Sequence, residues 1–337
     1  MSEQQNLNKY ENDGIELKEL FMVLWKGKKL IIAITLIAAI LTGLVTMFLI
    51  EPIYESKLDL IVNMPPIVNT RYGDYTMMMT TNDQYINLIY SNSIILQTMQ
   101  DMKLDMNKNS IEKFSKRILI SKDEKTPNSF TVKVQAKSSS EALEMAKNLY
   151  KNYINFLDTT IKSRSSEYFI NYYTTELSKD EVILETNKKL LKQNQDMLKQ
   201  IPQTINQKDA LNELNVNSID YIVLENVINE NYKKVELDII TIEQTISDIE
   251  NKIELSKQYL DELNQIKNDV ASSNLNINFC EVVEDSVYLP SQPVAPSNKT
   301  SPSTTLNVVI GAVIGGMISV IYILIKKYWF TETKQFN

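Results

Sequence analysis

The residues able to do chemistry in this 337-residue chain are carboxylates, and their spacing does not gather them. Glu225, Glu230 and Glu236 fall on what reads as the flank of a long amphipathic helix, where acidic side chains are solvated surface. Asp180 and Glu181 interrupt an apolar stripe, a place where a carboxylate pKa can shift, yet no neighbouring residues suggest a pocket. His is absent altogether, so the commonest general base is missing. A single cysteine, Cys280, rules out a Cys/His metal cluster and an internal disulfide. Beside Phe279 it reads as a small buried apolar residue rather than a reactive thiol. No glycine lies between Gly73 and Gly311, which leaves no Gly-rich phosphate loop. The sequence predicts no enzyme, no metal and no cofactor. A net charge of −7 offers no basic face to a phosphate backbone, so nucleic acid is excluded as a partner.

What remains are residues that shape backbones. Leu30–Ile50 and Leu306–Ile325 are uncharged runs, each long enough as a helix to span about 30 Å, the hydrocarbon thickness of a bilayer. Within them small residues recur at four-residue spacing: Thr35, Ala39 and Gly43 in the first, Gly311, Gly315 and Ser319 in the second. Such faces let helix backbones approach closely in lipid, either between the two spans or between subunits. Ahead of the second run, Pro290, Pro293, Pro296 and Pro302 punctuate a polar stretch. Each proline removes a donor and holds its predecessor extended, so this arm is neither helix nor central strand.

The pattern Pro293-x2-Pro296-x4-Ser301-Pro302-Ser303, then eleven residues, then Gly315-x3-Ser319, resembles the second-helix signature of Wzz-type chain-length determinants. These are the polysaccharide co-polymerases, a family that includes the capsule-kinase adaptors of Gram-positive bacteria. Two positions depart from the family: Ser303 stands where Lys is usual, and Ser319 where Gly is usual. Pro52, Tyr54 and the run Leu17-x2-Leu20-Phe21-x2-Leu24-Trp25 are similar too. The resemblance implies a non-catalytic regulator of the length and export of a surface polysaccharide: capsule, exopolysaccharide or O-antigen. It implies a ring-like homo-oligomer in the bacterial cytoplasmic (inner) membrane, working beside a polysaccharide polymerase. The regulator either scaffolds several polymerases or holds the growing glycan along its wall. Some members also switch on a separate tyrosine autokinase through a short cytoplasmic tail with an aromatic side chain. Here Phe336 and Trp329 are the residues for such docking, though an aromatic belt at the headgroups also accounts for Trp329. The alternative is a two-pass coiled-coil sensory or envelope-spanning adaptor, for which the short tails leave no signalling domain.

The expected fold class is α+β: two transmembrane helices bracket an extracytoplasmic α/β base that carries a long helical, coiled-coil hairpin. Residues 1–29 are an N-terminal tail whose amphipathic Leu17–Trp25 run suits the membrane interface or a partner. Residues 30–50 form the first span; Lys26, Lys28 and Lys29 before it and Lys326 and Lys327 after the second place both termini in the cytoplasm. Residues 51–137 form the base: strands over 54–62, 117–121 and 130–136, with three short helices opened by Asn or Ser caps; the 63–82 loop carries no interpretable signal beyond Met77–Met79. Residues 138–275 form the hairpin, opened by the capping box Ser138-x-x-Glu141. Its first leg, with a seam through Ala142, Ala146, Leu149, Tyr153 and Phe156, continues along a stripe at Ile170, Leu177, Leu184, Leu191 and Leu198 and ends at Pro202. The second leg, from about Ser218 to Asn268, repeats Ile at heptad positions from Ile228 onward. Residues 276–305 hold a return strand over 277–283 and the proline arm; 306–325 are the second span and 326–337 the cytoplasmic tail.

Overall fold

The structure, a computed structural model, describes residues 17–122, 125–206, 227–272 and 279–329. The chain divides into two compact units. The first holds the N-terminal segment to Leu60, then Ile95–Tyr150, then the chain from Leu289 onward. The second holds Ile61–Ile94 and Lys151–Tyr288.

In the first unit an amphipathic helix α1 (Leu17–Lys26) is followed by the apolar helix α2 (Lys28–Phe48). Strand β1 (Tyr54–Val62) begins here, and α4 (Asn92–Asp101) ends here. Helix α5 (Ile111–Ser115) leads into β4 (Ile118–Lys122) and β5 (Ser129–Ala136). Strands β4, β5 and β1 lie side by side in that order, with Ile118 opposite Val134 in the antiparallel β4–β5 ladder. Phe130, Val132, Val134 and Ala136 alternate inward along β5. A period of two buries one face of a strand, and Ala142, Met145, Ala146 and Leu149 at the start of helix α6 (Ser139–Leu198) are buried as well. The Ser138 hydroxyl caps α6 by accepting from the Glu141 N–H at 3.2 Å. The reciprocal arm differs from a simple capping box. Glu141 accepts from the Lys137 N–H (3.2 Å) and from the Arg117 guanidinium (2.6 Å), which also donates to the Gln135 carbonyl (2.7 Å). One carboxylate thus joins the helix start to the end of β5.

In the second unit the last residues of β1 pair with β8 (Val287–Tyr288), Ile61 opposite Tyr288 and Val62 opposite Val287. The expected return strand over 277–283 is therefore corrected. Residues 277 and 278 lie outside the described residues. Cys280 has φ 56°, a left-handed backbone no strand accommodates, and Val283–Ser286 is a short helix, α8. The uninterpreted loop contains a hairpin, β2 (Ile67–Thr70) and β3 (Gly73–Thr76), turning through Arg71 and Tyr72. Gly73 takes φ +124°, which a side chain would resist. Helix α3 (Asn82–Asn87) is capped by Thr81 in a capping box with Gln84, not by Asn82. Met77 is buried, Met79 half-buried and Met78 exposed.

The two long legs also belong here: α6 from Lys151, and α7 (Glu230–Ala271). They run antiparallel, as Tyr173 meets Tyr259 edge to face, Lys188 pairs with Glu250, and Asn229 donates to the Pro202 carbonyl. The stripe at Ile170, Leu177, Leu184, Leu191 and Leu198 is the half-buried face of α6, with Tyr173, Asp180, Asn187 and Asn194 on it. Nearer its start the buried seam runs through Tyr153, Leu157 and Ile161; Phe156 is only half-buried. On α7, Val235, Ile242, Ile249, Ser256, Leu263 and Val270 are buried at strict seven-residue intervals. The second leg starts at Glu230 with Asn229 as cap, so Ile228 is not in the helix; with Val227 it forms strand β7, paired with β6 (Thr204–Ile205). The part expected over 218–226, with Glu225, lies outside the described residues.

Candidate functional site: the apolar helix pair and its proline arm

Helix α9 (Thr304–Tyr328) packs antiparallel on α2, and both are long and apolar enough to cross a membrane. The contact is made by residues with almost no side chain. A Cβ placed on Gly315 would lie 2.5 Å from the Ala38 Cβ and 3.3 Å from the Thr35 Cα. Gly311 faces the Thr42 side chain, and Gly43 faces Val308. Gly311, Gly315 and Ser319, the spaced set on the second run, are all buried. Across from Gly315 stands Ala38, with Ala39 half-buried beside it, so the face of α2 runs through Thr35, Ala38, Thr42 and Thr46.

Three hydroxyls in this contact are held by carbonyls of their own helices. Thr42 donates to the Ala38 carbonyl (2.8 Å), Thr46 to the Thr42 carbonyl (2.7 Å) and Ser319 to the Gly316 carbonyl (2.7 Å). Asn307 donates across the pair to Thr46 at 3.2 Å. Outward, the polarity is the reverse of a water-soluble helix pair. Ser319 is 0% exposed while its neighbour Ile318 is 57% exposed, and Leu36, Ile37, Val313 and Met317 also point away from the pair. A surface of Leu, Ile, Val and Met over a seam of Gly, Ala, Ser and Thr fits a hydrocarbon solvent. On α1, Leu17, Phe21 and Trp25 are likewise exposed.

The proline arm enters α9 from an anchored position. The Ile53 carbonyl accepts from the Thr300 N–H (2.7 Å), and the Ile53 N–H donates to the Ser301 carbonyl (2.8 Å). Ser56 donates to the Val294 carbonyl and Ser139 to the Pro296 carbonyl. Pro293 and Pro302 are buried, Pro296 half-buried. Ser303 caps α9 by accepting from the Leu306 N–H at 3.4 Å, a use for the position where the resembling family usually has Lys. The structure thus brings the arm and both small-residue faces into one unit. Trp329 ends α9 and is exposed; Phe336 lies outside the described residues.

The acidic candidates stay scattered. Glu230 and Glu236 are exposed on α7, Asp180 is half-buried on the α6 stripe and Glu181 is exposed. Burial pushes the Cys280 thiol up, away from a reactive thiolate. Among the described residues no group of His, Cys, Asp and Glu is placed to hold a metal.

Fold and site define a class: an α+β chain with two apolar helices packed on a small-residue seam, an anchored proline arm and a long helical hairpin. Residues 13–102 match the family model of Wzz, chain length determinant protein, so the match covers α1, α2, β1, the β2–β3 hairpin, α3 and α4. Among solved structures the chain is similar to a full-length bacterial polysaccharide co-polymerase, at 15% identity over 96% of this chain and 99% of that one, with a TM-score of 0.46. It is also similar to the wild-type lipopolysaccharide O-antigen chain-length regulator WzzBSF of Shigella flexneri (13% identity, 73% and 100% covered, TM-score 0.32). A Wzz dodecamer is a third (12%, 74% and 100%, TM-score 0.29). No curated protein matches the chain.

Proposed function

We propose that this protein is a non-catalytic membrane regulator that sets the length of a surface polysaccharide. The observation that carries the reading is the family match over residues 13–102, which joins the proline-arm pattern already read at the other end of the chain. In this reading α2 and α9 cross the cytoplasmic membrane. Lys26, Lys28, Lys29, Lys326 and Lys327 hold both termini in the cytoplasm, and residues 51–305 stand outside. The anchored arm transmits the position of α9 to β1 and α6. The chain assembles with copies of itself and acts beside a polymerase on the growing glycan. A cytoplasmic autokinase docked on Trp329 and Phe336 is a further partner of the same reading. The test is a gel of the surface glycan from cells with and without the gene. A shifted or broadened length distribution is expected on deletion; an unchanged distribution, with glycan still made, overturns the reading and favours a structural adaptor.

A further inference from the structure

The second unit contains a cleft of about 540 Å³ between the β2–β3 turn and the Phe279–Ser286 segment. That volume falls within the roughly 300–1,000 Å³ of small-molecule sites, too confined for a folded partner. Its floor is built firmly. Tyr72 and Phe279 are buried with their rings 5.8 Å apart, and Tyr72 also meets Tyr259 and Phe169. The Tyr72 carbonyl accepts from the Tyr173 hydroxyl at 2.7 Å, and the Tyr72 hydroxyl donates to Glu262 at 3.0 Å. The opposite wall is held by the left-handed backbone at Cys280 and a tight turn in which the Val282 N–H reaches the Cys280 carbonyl (2.9 Å). This turn buries Phe279 and Cys280 while Glu281 stays exposed. A non-glycine residue held at positive φ costs energy, and such residues cluster where a site must be shaped.

The chemistry of the lining is mixed in a particular way. Glu281 and Asp285 supply acceptors only; among the described residues neither has an ion-pair or hydrogen-bond partner. Arg71, whose guanidinium is already paired with Glu262 at 2.6 Å, supplies its remaining N–H groups as donors, and Asn69 both donates and accepts. Pro65 and Val68 add apolar surface. A cation would need the two carboxylates gathered with further ligands, and no such group is present among the described residues. A phosphate or carboxylate ligand would be repelled by Glu281 and Asp285. A polyol fits: each hydroxyl both donates and accepts, and the ring offers C–H faces to Pro65 and Val68.

We propose that this cleft is a saccharide subsite, taking one or two sugar residues of the glycan, with Glu281, Asp285, Asn69 and Arg71 as its hydrogen-bonding groups. The proposal rests on the polysaccharide reading above and names where that glycan is held.

The test uses the full chain in lipid nanodiscs. The probe is the short oligosaccharide fraction released by mild acid from the surface glycan of the cells that make the protein. Binding is read by saturation-transfer NMR and equilibrium dialysis. The double variant Glu281→Gln/Asp285→Asn keeps size and exposure but loses charge; Asn69→Trp fills the mouth. Both are expected to weaken binding on the order of tenfold or more, the scale of one lost hydrogen bond to a charged group. Helical content and oligomer size are expected to stay as in the parent. Undiminished binding in both variants, or no binding by the parent chain, overturns the proposal. So does a change in oligomer size with Asn69→Trp at unaltered saccharide affinity, which marks the cleft as a subunit contact. The gel distinguishes this failure from that of the functional reading. If deletion shifts glycan length but the parent binds nothing, only the cleft falls. If the variants lose binding while deletion leaves length unchanged, the cleft stands and the length-control reading falls.

Discussion

Two antiparallel helix pairs dominate this molecule, and they are held by opposite means. In the α2–α9 pair the seam is Gly, Ala, Ser and Thr, and the large aliphatic residues face outward. In the α6–α7 pair the seam on α7 is Val, Ile and Leu apart from Ser256, and the charged residues face outward. Water explains the second pattern: burying aliphatic area is favourable by roughly 25 cal/mol per Å². In lipid that driving force would be absent, and a pair with such a seam would gain from close backbone approach and internal hydrogen bonds. The hairpin is also unequal within itself. Leu263 on α7 is 0% exposed, whereas the α6 stripe is half-buried and interrupted by Asp180, Asn187 and Asn194.

The largest expected effect lies in the aliphatic seam. Leu263→Ala deletes a fully buried side chain and should destabilise the second unit by about 2–5 kcal/mol, read as a lower thermal midpoint of its helical signal. Leu191→Ala, on the half-buried stripe, should cost clearly less. Equal losses would refute the inequality of the legs.

Next comes a pair of substitutions one residue apart. Gly315→Ala puts a methyl 2.5 Å from the Ala38 Cβ and should cost about 1–3 kcal/mol as the backbones separate. Gly316→Ala meets only the Thr35 hydroxyl oxygen, at 3.5 Å, and should be neutral, or stabilising by up to about 1 kcal/mol through helix propensity. The readout is intramolecular crosslinking of cysteines placed at Thr46 and Asn307, in a chain with Cys280→Ala. Crosslinking should fall with Gly315→Ala and persist with Gly316→Ala. Persistence with both would mean the pair is held by bulk apolarity instead of close backbone approach.

How far these arrangements could be read in the sequence follows from the same contrast. The α6 stripe was legible because a Gly- and Pro-free run with period 3.5 has one way to lie against a partner. On α9, Gly311, Gly315 and Ser319 form one line, and that line is the buried one. On α2, Ala38, Ala39, Thr42 and Gly43 make two adjacent lines of small residues; only the partner's rotation selects Ala38 and Thr42 as the opposing pair. The return strand misled because Ile277–Val283 has β-rich composition, whereas Cys280 adopts φ 56° and the true strand is two residues, fixed by Ile61 and Val62 far away in sequence. The β2–β3 hairpin had a signal in Gly73, weakened by strands of only four residues. The cleft had none, since its walls are separated by some two hundred residues of chain and meet only in the fold.

A third comparison separates the packed aromatic end of the second unit from its helical legs. Burial pushes the Tyr85 phenol from its ordinary 10.0 up to about 12, and its hydroxyl donates to the Met79 carbonyl at 3.1 Å. The folded state therefore favours the neutral form. Its stabilisation is complete below about pH 10 and is lost as pH rises through about 12. Tyr85→Phe removes the titration and should extend alkaline stability, at a cost near neutral pH of about 1 kcal/mol for the lost hydrogen bond. Near-ultraviolet circular dichroism against pH checks both signs.

The smallest expected effect is also the most direct probe of the weaker leg. Asn187 occupies the α6 stripe between Leu184 and Leu191, half-buried, and its amide donates to the Ile183 carbonyl at 2.9 Å within its own helix. It makes no demand on α7 through that bond, and a polar residue in a heptad seam lowers stability in exchange for register. Asn187→Leu should therefore stabilise the hairpin by about 0.5–1 kcal/mol, a modest gain typical of mending a polar gap on a part-exposed face. The register is already held by the Lys188–Glu250 pair at 2.8 Å and by Asn229 at the far end, so the legs should not slip. Hydrogen exchange along Val182–Leu198 should slow while exchange around Leu263 stays unchanged. Faster exchange in that stretch would mean that Asn187 fixes the pairing of the two legs, and that polarity on the stripe serves specificity rather than looseness.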